Sequence, residues 1–352
     1  GTVDAVFEAF YSLRWCLFVD PVNVYRGSNV RFEAVLANED ALAPGEYPVR
    51  LEVVGPNATR VFEREITLTI PEAEHDAPRP FAVPVFSEEI PIDGPSGKYR
   101  FLATFLSGGA ATGGSVEFYV DNPAEMPPVE TEVVLWGQDD ELAAWLADRG
   151  IHARSTRPDD PAGRLVILVS GKPPGGAEAF AELARRIARG STAIFLSPEV
   201  FRRGEDPVGW LPLVNKGGLT HFASWVYLKD EWAKEHPIFE GLPAGGLMDY
   251  TFYREIIPDL MFSGGEAPTE AVSGAIKSSQ GYLSGLTVSV HELGAGRFVL
   301  NTLNIRQNLG THPAAERLLR NMLRHAAGDV KKPPTELAPD FEDRLRAMGY
   351  QE

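Results

Sequence analysis

The 352-residue chain carries 33 basic against 49 acidic residues, a formal charge of −16, with 44% hydrophobic and 23% charged residues. That balance suits about two globular domains with sizeable cores and argues against a nucleic-acid binder, which concentrates Lys and Arg against phosphates. No apolar run approaches the roughly 18 residues of a membrane span, and no secretory leader is recognisable behind Gly1, a first residue that suggests a processed product, a cloned fragment or a tag remnant.

Residues 21–122 alternate at period two and are cut by Gly, Pro and Asn at short intervals. Strands are expected at Val30 to Ala37, Tyr47 to Val54, Val61 to Ile70, Phe81 to Phe86, Gly97 to Phe105 and Gly114 to Val120. Six or seven short strands in about a hundred residues predict an immunoglobulin-like β-sandwich over residues 1–122. Arg31, Glu33, Arg50, Glu52, Glu63 and Glu65 share the outward phase. The single cysteine, Cys16, lies among Trp15, Leu17 and Phe18, which predicts a buried structural thiol and leaves the compartment undecided between bacterial cytoplasm, periplasm and secretion.

Three prolines between Asp121 and Pro128 mark a stiff linker, placed at residues 123–130. Over residues 131–328 strands alternate with helical patterns, the writing of an open, mostly parallel, doubly wound α/β domain. Its elements are the strand Val133 to Gly137, the helix Asp140 to Arg149, the strand Leu165 to Val169, the helix Gly176 to Arg189 and the strand Ala193 to Leu196. A hairpin, Val288 to Leu293 and Arg297 to Leu303, turns on Gly294-Ala295-Gly296. A last helix, Pro313 to Ala327, begins with Pro and is expected to end at Gly328 as a left-handed cap. Residues 329–352 read as a tail with one short helix, Asp340 to Met348.

In such sheets chemistry gathers at the carboxyl ends of the strands, which puts Ser197-Pro198-Glu199 where a nucleophile would sit. The position reads as degenerate: Phe195 and Glu199 occupy the places of the glycines that a nucleophile elbow needs, and Pro198 lacks an N–H for an oxyanion. His312 and Glu316 evoke the base and orienting acid of a triad, but Glu316 is expected to pair with Arg320 on the helix surface instead. Gly171 to Gly176 lacks the order of a phosphate loop and reads as a strand-to-helix turn. The histidines have no metal-ligand spacing, so neither metal nor other cofactor is expected. Asn57-Ala58-Thr59 is a glycosylation sequon, meaningful only on a eukaryotic secretory route.

The insertion 223–255 holds Trp225, Tyr227, Trp232, Tyr250 and Tyr253 among Asp230, Asp249, Arg254 and Glu255. Rings for sugar faces and charged groups for hydroxyls would make a carbohydrate site; the same composition marks a protein interface or internal packing. A stand-alone enzyme built here requires Asp249, Arg254 and Glu255 to converge in one pocket with a shifted carboxylate pKa, whereas an accessory module predicts an exposed apolar patch there, larger than the few hundred Å² common on monomers.

Val133 to Gly137, the turn Gly294-Ala295-Gly296-Arg297-Phe298-Val299-Leu300-Asn301 and Leu318-Leu319-Arg320-Asn321 together resemble the class I glutamine amidotransferase-like domain, in the degenerate form found as a trimerisation domain of some β-galactosidases. Val19-Asp20-Pro21, Tyr25-Arg26-Gly27, Ala37-Asn38-Glu39-Asp40, Trp225 to Trp232 and Gly246-Leu247-Met248-Asp249-Tyr250 resemble the region after the catalytic barrel in family 2-like glycoside hydrolases. The resemblance implies a non-catalytic accessory region. Its partners would be the enzyme's barrel or other subunits, with carbohydrate or a homo-oligomer as further possibilities, and no nucleic acid or membrane. The amidotransferase cysteine and histidine find no match near Ser197 or near Thr302 to Asn304. The glycosidase glutamates belong to a barrel of at least about 200 residues that this chain does not encode. The competing reading is a stand-alone carbohydrate-binding protein or hydrolase built on the insertion 223–255.

Overall fold

A computed structural model describes residues 3–72, 80–157, 160–161, 163–171, 173, 175–222, 229–278, 281–329 and 335–351. The chain divides into two compact units, Gly1–Glu125 and Met126–Glu352.

The first unit opens with helix α1 (Val3–Ala9) and continues as strands β1 (Leu13–Asp20), β2 (Asn23–Tyr25), β3 (Asn29–Asn38), β4 (Gly45–Val54), β5 (Arg60–Ile70), β6 (Ala82–Pro91), β7 (Gly97–Phe105) and β8 (Ser115–Asp121). They form a three-stranded sheet, β1-β3-β6, and a five-stranded sheet, β2-β8-β7-β4-β5. The inward phase of both sheets makes one core. Phe32 of the small sheet meets Phe101 and Phe118 of the large one at ring separations of 5.0 and 5.4 Å. Each such ring contributes about 1.5–3 kcal/mol on burial. The alternation places Leu13, Trp15 and Val19 of β1 in the core and leaves Cys16 half-buried on the other phase, so the fully buried thiol expected from its neighbours is not found.

The second unit comprises β9 (Val133–Trp136), α2 (Asp140–Asp148), β10 (Ala153–Ser155), β11 (Val166–Val169), α3 (Gly176–Ala188), β12 (Thr192–Phe195), β13 (Gly218–His221), β14 (Lys229–Ala233), β15 (Gly246–Leu247), α4 (Tyr250–Tyr253), β16 (Leu260–Ser263), β17 (Glu270–Lys277), β18 (Leu283–Leu293), β19 (Gly296–Asn301), α5 (Pro313–Asp329) and α6 (Phe341–Ala347). Every residue of β9, β11 and β12 is buried, as continuous apolar runs require. One sheet holds eleven strands, its main path running β10-β9-β11-β12-β19-β18-β17-β14-β15. The first five pair in parallel. In chain order they read 2-1-3-4-5, so the order reverses between β9 and β11. From β19 onward every pairing is antiparallel, because the Gly294 hairpin returns the chain beside itself and the long insertion adds its strands to that edge. The sheet is therefore mixed across its width.

Two local expectations change. Gly328 lies inside α5, not in a left-handed cap beyond it. Residues 335–351 anchor in the core through Phe341, Leu345, Met348 and Tyr350, which are buried with Phe180 and Trp210. Arg185 of α3 grips Glu342 through two 3.0 Å hydrogen bonds. No helix among the described residues is long and apolar enough to cross a membrane.

Candidate functional site

The crevice at the carboxyl ends of β9 and β11, where the strand order reverses, is the place such a sheet offers a ligand. Among the described residues, contacts between loops cross it. Gly137 follows β9 at a positive φ of 89°, and a side-chain carbon there would lie 2.8 Å from the Gly171 carbonyl oxygen, so only glycine lets the two loops meet. Asp139 caps α2 by accepting from the Leu142 N–H at 2.9 Å. Its two oxygens also accept from Arg306 Nε and Nη2 at 2.9 and 2.7 Å, which ties the loop after β19 across the strand ends. Burial pushes the Asp139 carboxyl up, but the hydrogen bonds from Arg306, Ser170 and the Leu142 N–H outweigh it and hold the pKa at about 2.

A depressed carboxylate stabilises the fold above its unfolded pKa and loses that contribution as pH falls through the folded value. Asp139 therefore contributes fully above about pH 4 and progressively less down to about pH 2, by about 1–2 kcal/mol once its partial exposure is discounted. Arg306→Gln is expected to return the Asp139 titration toward the ordinary carboxylate range, measured by NMR of the side-chain carbonyl carbon. An unmoved midpoint would show that Arg306 does not hold it.

Ser197 Oγ accepts from the Glu199 N–H at 3.3 Å and caps the short helical turn Pro198–Phe201. Next to it, Asn301 Nδ2 donates to the carbonyls of Leu196 and Leu303 at 2.9 and 3.0 Å. Glu316 is fully buried, bound by Arg320 at 2.8 Å and Arg149 at 3.2 Å; the ion pair expected on the helix surface is an interior one. The reason is that α5 packs on β11 and β12, so its Glu316 face points inward.

His312 caps α5, its Nδ1 accepting from the Ala314 N–H at 3.2 Å. Because a backbone N–H can only donate, Nδ1 carries no proton and Nε2 does. Burial lowers the ring's pKa against the opposing pull of Glu255, whose Oε2 lies 3.9 Å from Nε2. The ring thus has no lone pair left for a serine proton.

The insertion is not a separate aromatic cluster, since its strands continue the main sheet. Trp225 and Tyr227 lie outside the described residues. Trp232 is half-buried on β14 with its ring against Gly274 of β17, where a side-chain carbon would come within 2.7 Å of the indole. Tyr253 is fully buried and donates to the Pro243 carbonyl at 2.7 Å; burial lifts its phenol pKa, with Asp249 adding to the rise. Tyr250 is 60% exposed, and Asp230 is exposed. Asp249 turns back to cap α4, accepting from the Thr251 and Phe252 N–H groups at 2.9 and 3.4 Å. Arg254 holds its neighbour Glu255 at 2.8 Å, and Glu255 faces His312. Asp249 thus serves its own helix, while Arg254 and Glu255 belong to the His312 corner.

One cluster escaped the sequence reading. His236 caps the turn Pro237–Phe239, with Nδ1 accepting from the Ile238 N–H at 3.2 Å, and its Nε2 lies 2.7 Å from Glu270 Oε2 at the start of β17. His325 of α5 brings its Nε2 to 3.8 Å from the same oxygen, the two imidazole rings meeting edge-on at 5.1 Å. Arg297 of β19 holds Glu270 Oε1 at 3.1 Å. Burial pushes the Glu270 carboxyl up, but the His236 hydrogen bond and the charges of both histidines and Arg297 leave it below the usual range. Asn321 of α5 ties the helix to the turn after His236, donating to the Ile238 and Glu240 carbonyls at 3.2 and 2.9 Å. The one signal in the sequence is the pair of His-Pro steps, His236-Pro237 and His312-Pro313, each a histidine cap before a proline.

No family model matches the chain, and no curated protein matches it. Among solved structures, an exo-β-1,4-mannosidase from Opitutaceae bacterium strain TAV5 is 13% identical, with 58% of this chain and 36% of that chain covered and a TM-score of 0.31. A glycosyl hydrolase family 2 member from Bacteroides cellulosilyticus is 14% identical, with 56% and 27% covered and a TM-score of 0.21. A CARDB domain from Pyrococcus furiosus, in complex with di-metal ions, is 14% identical, with 31% and 86% covered and a TM-score of 0.21. The structural neighbours thus include family 2 glycoside hydrolases at low identity and partial coverage, and the matched region spans only 36% of the mannosidase chain and 27% of the family 2 chain.

Proposed function

We propose that this chain is a non-catalytic accessory region of a glycoside hydrolase, with docking, subunit contact or the rim of an active site as its work. The observation that carries the reading is the bridged crevice rim: Gly137 lies against Gly171, and Asp139 is bound to Arg306 across the strand ends. The candidate reactive groups around it support the same reading, because Ser197 and His312 are helix caps and Glu316 is buried between two arginines. The parallel order 2-1-3-4-5, with Ser197-Pro198 after its fourth strand, supports a degenerate amidotransferase-like, doubly wound ancestry for the second unit. The two-sheet core of the first unit suits a spacer or docking module.

The purified chain is expected to show no turnover of aryl glycosides, and Ser197→Ala to keep the wild-type circular dichroism and the same lack of turnover. Mixing in the catalytic barrel of a family 2-like enzyme should produce a complex, read by light scattering. Hydrolysis by the isolated chain, abolished by Glu255→Gln, would sink the accessory reading and favour a stand-alone enzyme.

A further inference from the structure

We propose that His236, Glu270 and His325 form a binding site for a divalent transition cation of the zinc class. One ligand atom from each residue lies within 4.8 Å of the other two. They come from a loop cap, a strand start and a helix, so this set is built by the fold and not by a local run of polar residues. Two imidazoles and one carboxylate are the donor types that such cations take, leaving a position open for water or another ligand.

Geometry and surroundings both suit the ion. Metal bonds of about 2.0–2.1 Å place tetrahedral ligand atoms roughly 3.3 Å apart. The observed separations from Glu270 Oε2, 2.7 Å to His236 and 3.8 Å to His325, bracket that spacing. Arg297 fixes the other carboxylate oxygen, as outer partners of metal ligands commonly do. The side chains are 13%, 28% and 15% exposed, shielded but reachable. His236 also lines a cleft with Glu235, Pro237, Gly241, Leu242 and Ala244. Binding through Nε2 moves the His236 ring proton to Nδ1, so the metal bond replaces the cap on Ile238.

The test is calorimetric titration of the full chain, first stripped with chelator, using ZnCl2 and separately CoCl2. Wild type should bind one ion per chain with a rise in melting temperature, and bound Co2+ should give the intense visible absorption of a low-coordinate site. Co2+ should broaden the ring-proton NMR signals of His236 and His325 before those of exposed His221, a readout that needs no variant. Glu270→Gln and His325→Gln should each weaken binding at least tenfold, as loss of a ligand or its close support does. Absence of one-to-one binding, selective broadening at other histidines, or an unchanged affinity in folded Glu270→Gln would each overturn the site.

Discussion

Replacing Glu316 with alanine is expected to destabilise the second unit by about 3–5 kcal/mol, the cost of stripping the partner from buried charge. The carboxylate is fully buried and divides its oxygens between Arg320 and Arg149. Arg320, itself nearly buried, also donates to the carbonyls of Pro127 at 3.4 Å and Arg149 at 3.2 Å. Carbonyls satisfy N–H donors but do not neutralise a guanidinium charge, so removing the acid strips the carboxylate from nearly buried Arg320, while the more exposed Arg149 keeps Asp148 at 3.3 Å. Glu316→Gln keeps the shape and one acceptor and should cost less than alanine. Urea unfolding followed by tryptophan fluorescence measures both. A loss within about 0.5 kcal/mol, the usual range for a surface change, would mean that the group is not the electrostatic centre of α5 packing.

The second large effect is expected at Tyr350, close to the end of the chain. Its ring packs 6.0 Å from Phe180 and 6.2 Å from Trp210, and its hydroxyl donates to the Trp210 carbonyl at 2.6 Å. Tyr350→Ala removes a buried aromatic from a packed cluster and should cost about 3–5 kcal/mol. Tyr350→Phe removes only the hydroxyl and leaves one buried carbonyl short of a donor, a cost of about 1–3 kcal/mol. The ratio of the two separates packing from hydrogen bonding. Equal costs would mean that the hydroxyl, not the ring, secures this segment; negligible costs in both would mean that residues 335–351 are an appendage.

Both predictions rest on features that local pattern reading places on the surface. Glu316 and Arg320 stand four apart on a helix, which is the spacing of an exposed pair, and nothing in their neighbourhood tells that α5 lies against β11 and β12. Residues 335–351 follow two lysines and two prolines and read as a tail, while Phe341, Leu345, Met348 and Tyr350 reveal their face only against Phe180 and Trp210. Trp232 and Tyr253 read as ring surface for a sugar. Their burial comes from Gly274 opposite one and the Pro243 carbonyl opposite the other. The convergence that a stand-alone enzyme would require of Asp249 is likewise undone locally, by the two N–H groups of its own helix.

By itself the sequence determined many of the elements and the buried runs among them. Period-two alternation set the two sheets of the first unit, continuous apolar runs set β9, β11 and β12, and the residues around Ser197 ruled out a strained elbow. These are short-range matters, decided by which side chains a strand or helix turns to one side. Only the tertiary structure decided which charges met. His236 and Glu270 stand 34 residues apart and His325 comes from another element, so their approach depends on sheet order and on Asn321 pinning α5 to the turn after His236. Period and propensity carry no record of sheet order; packing does.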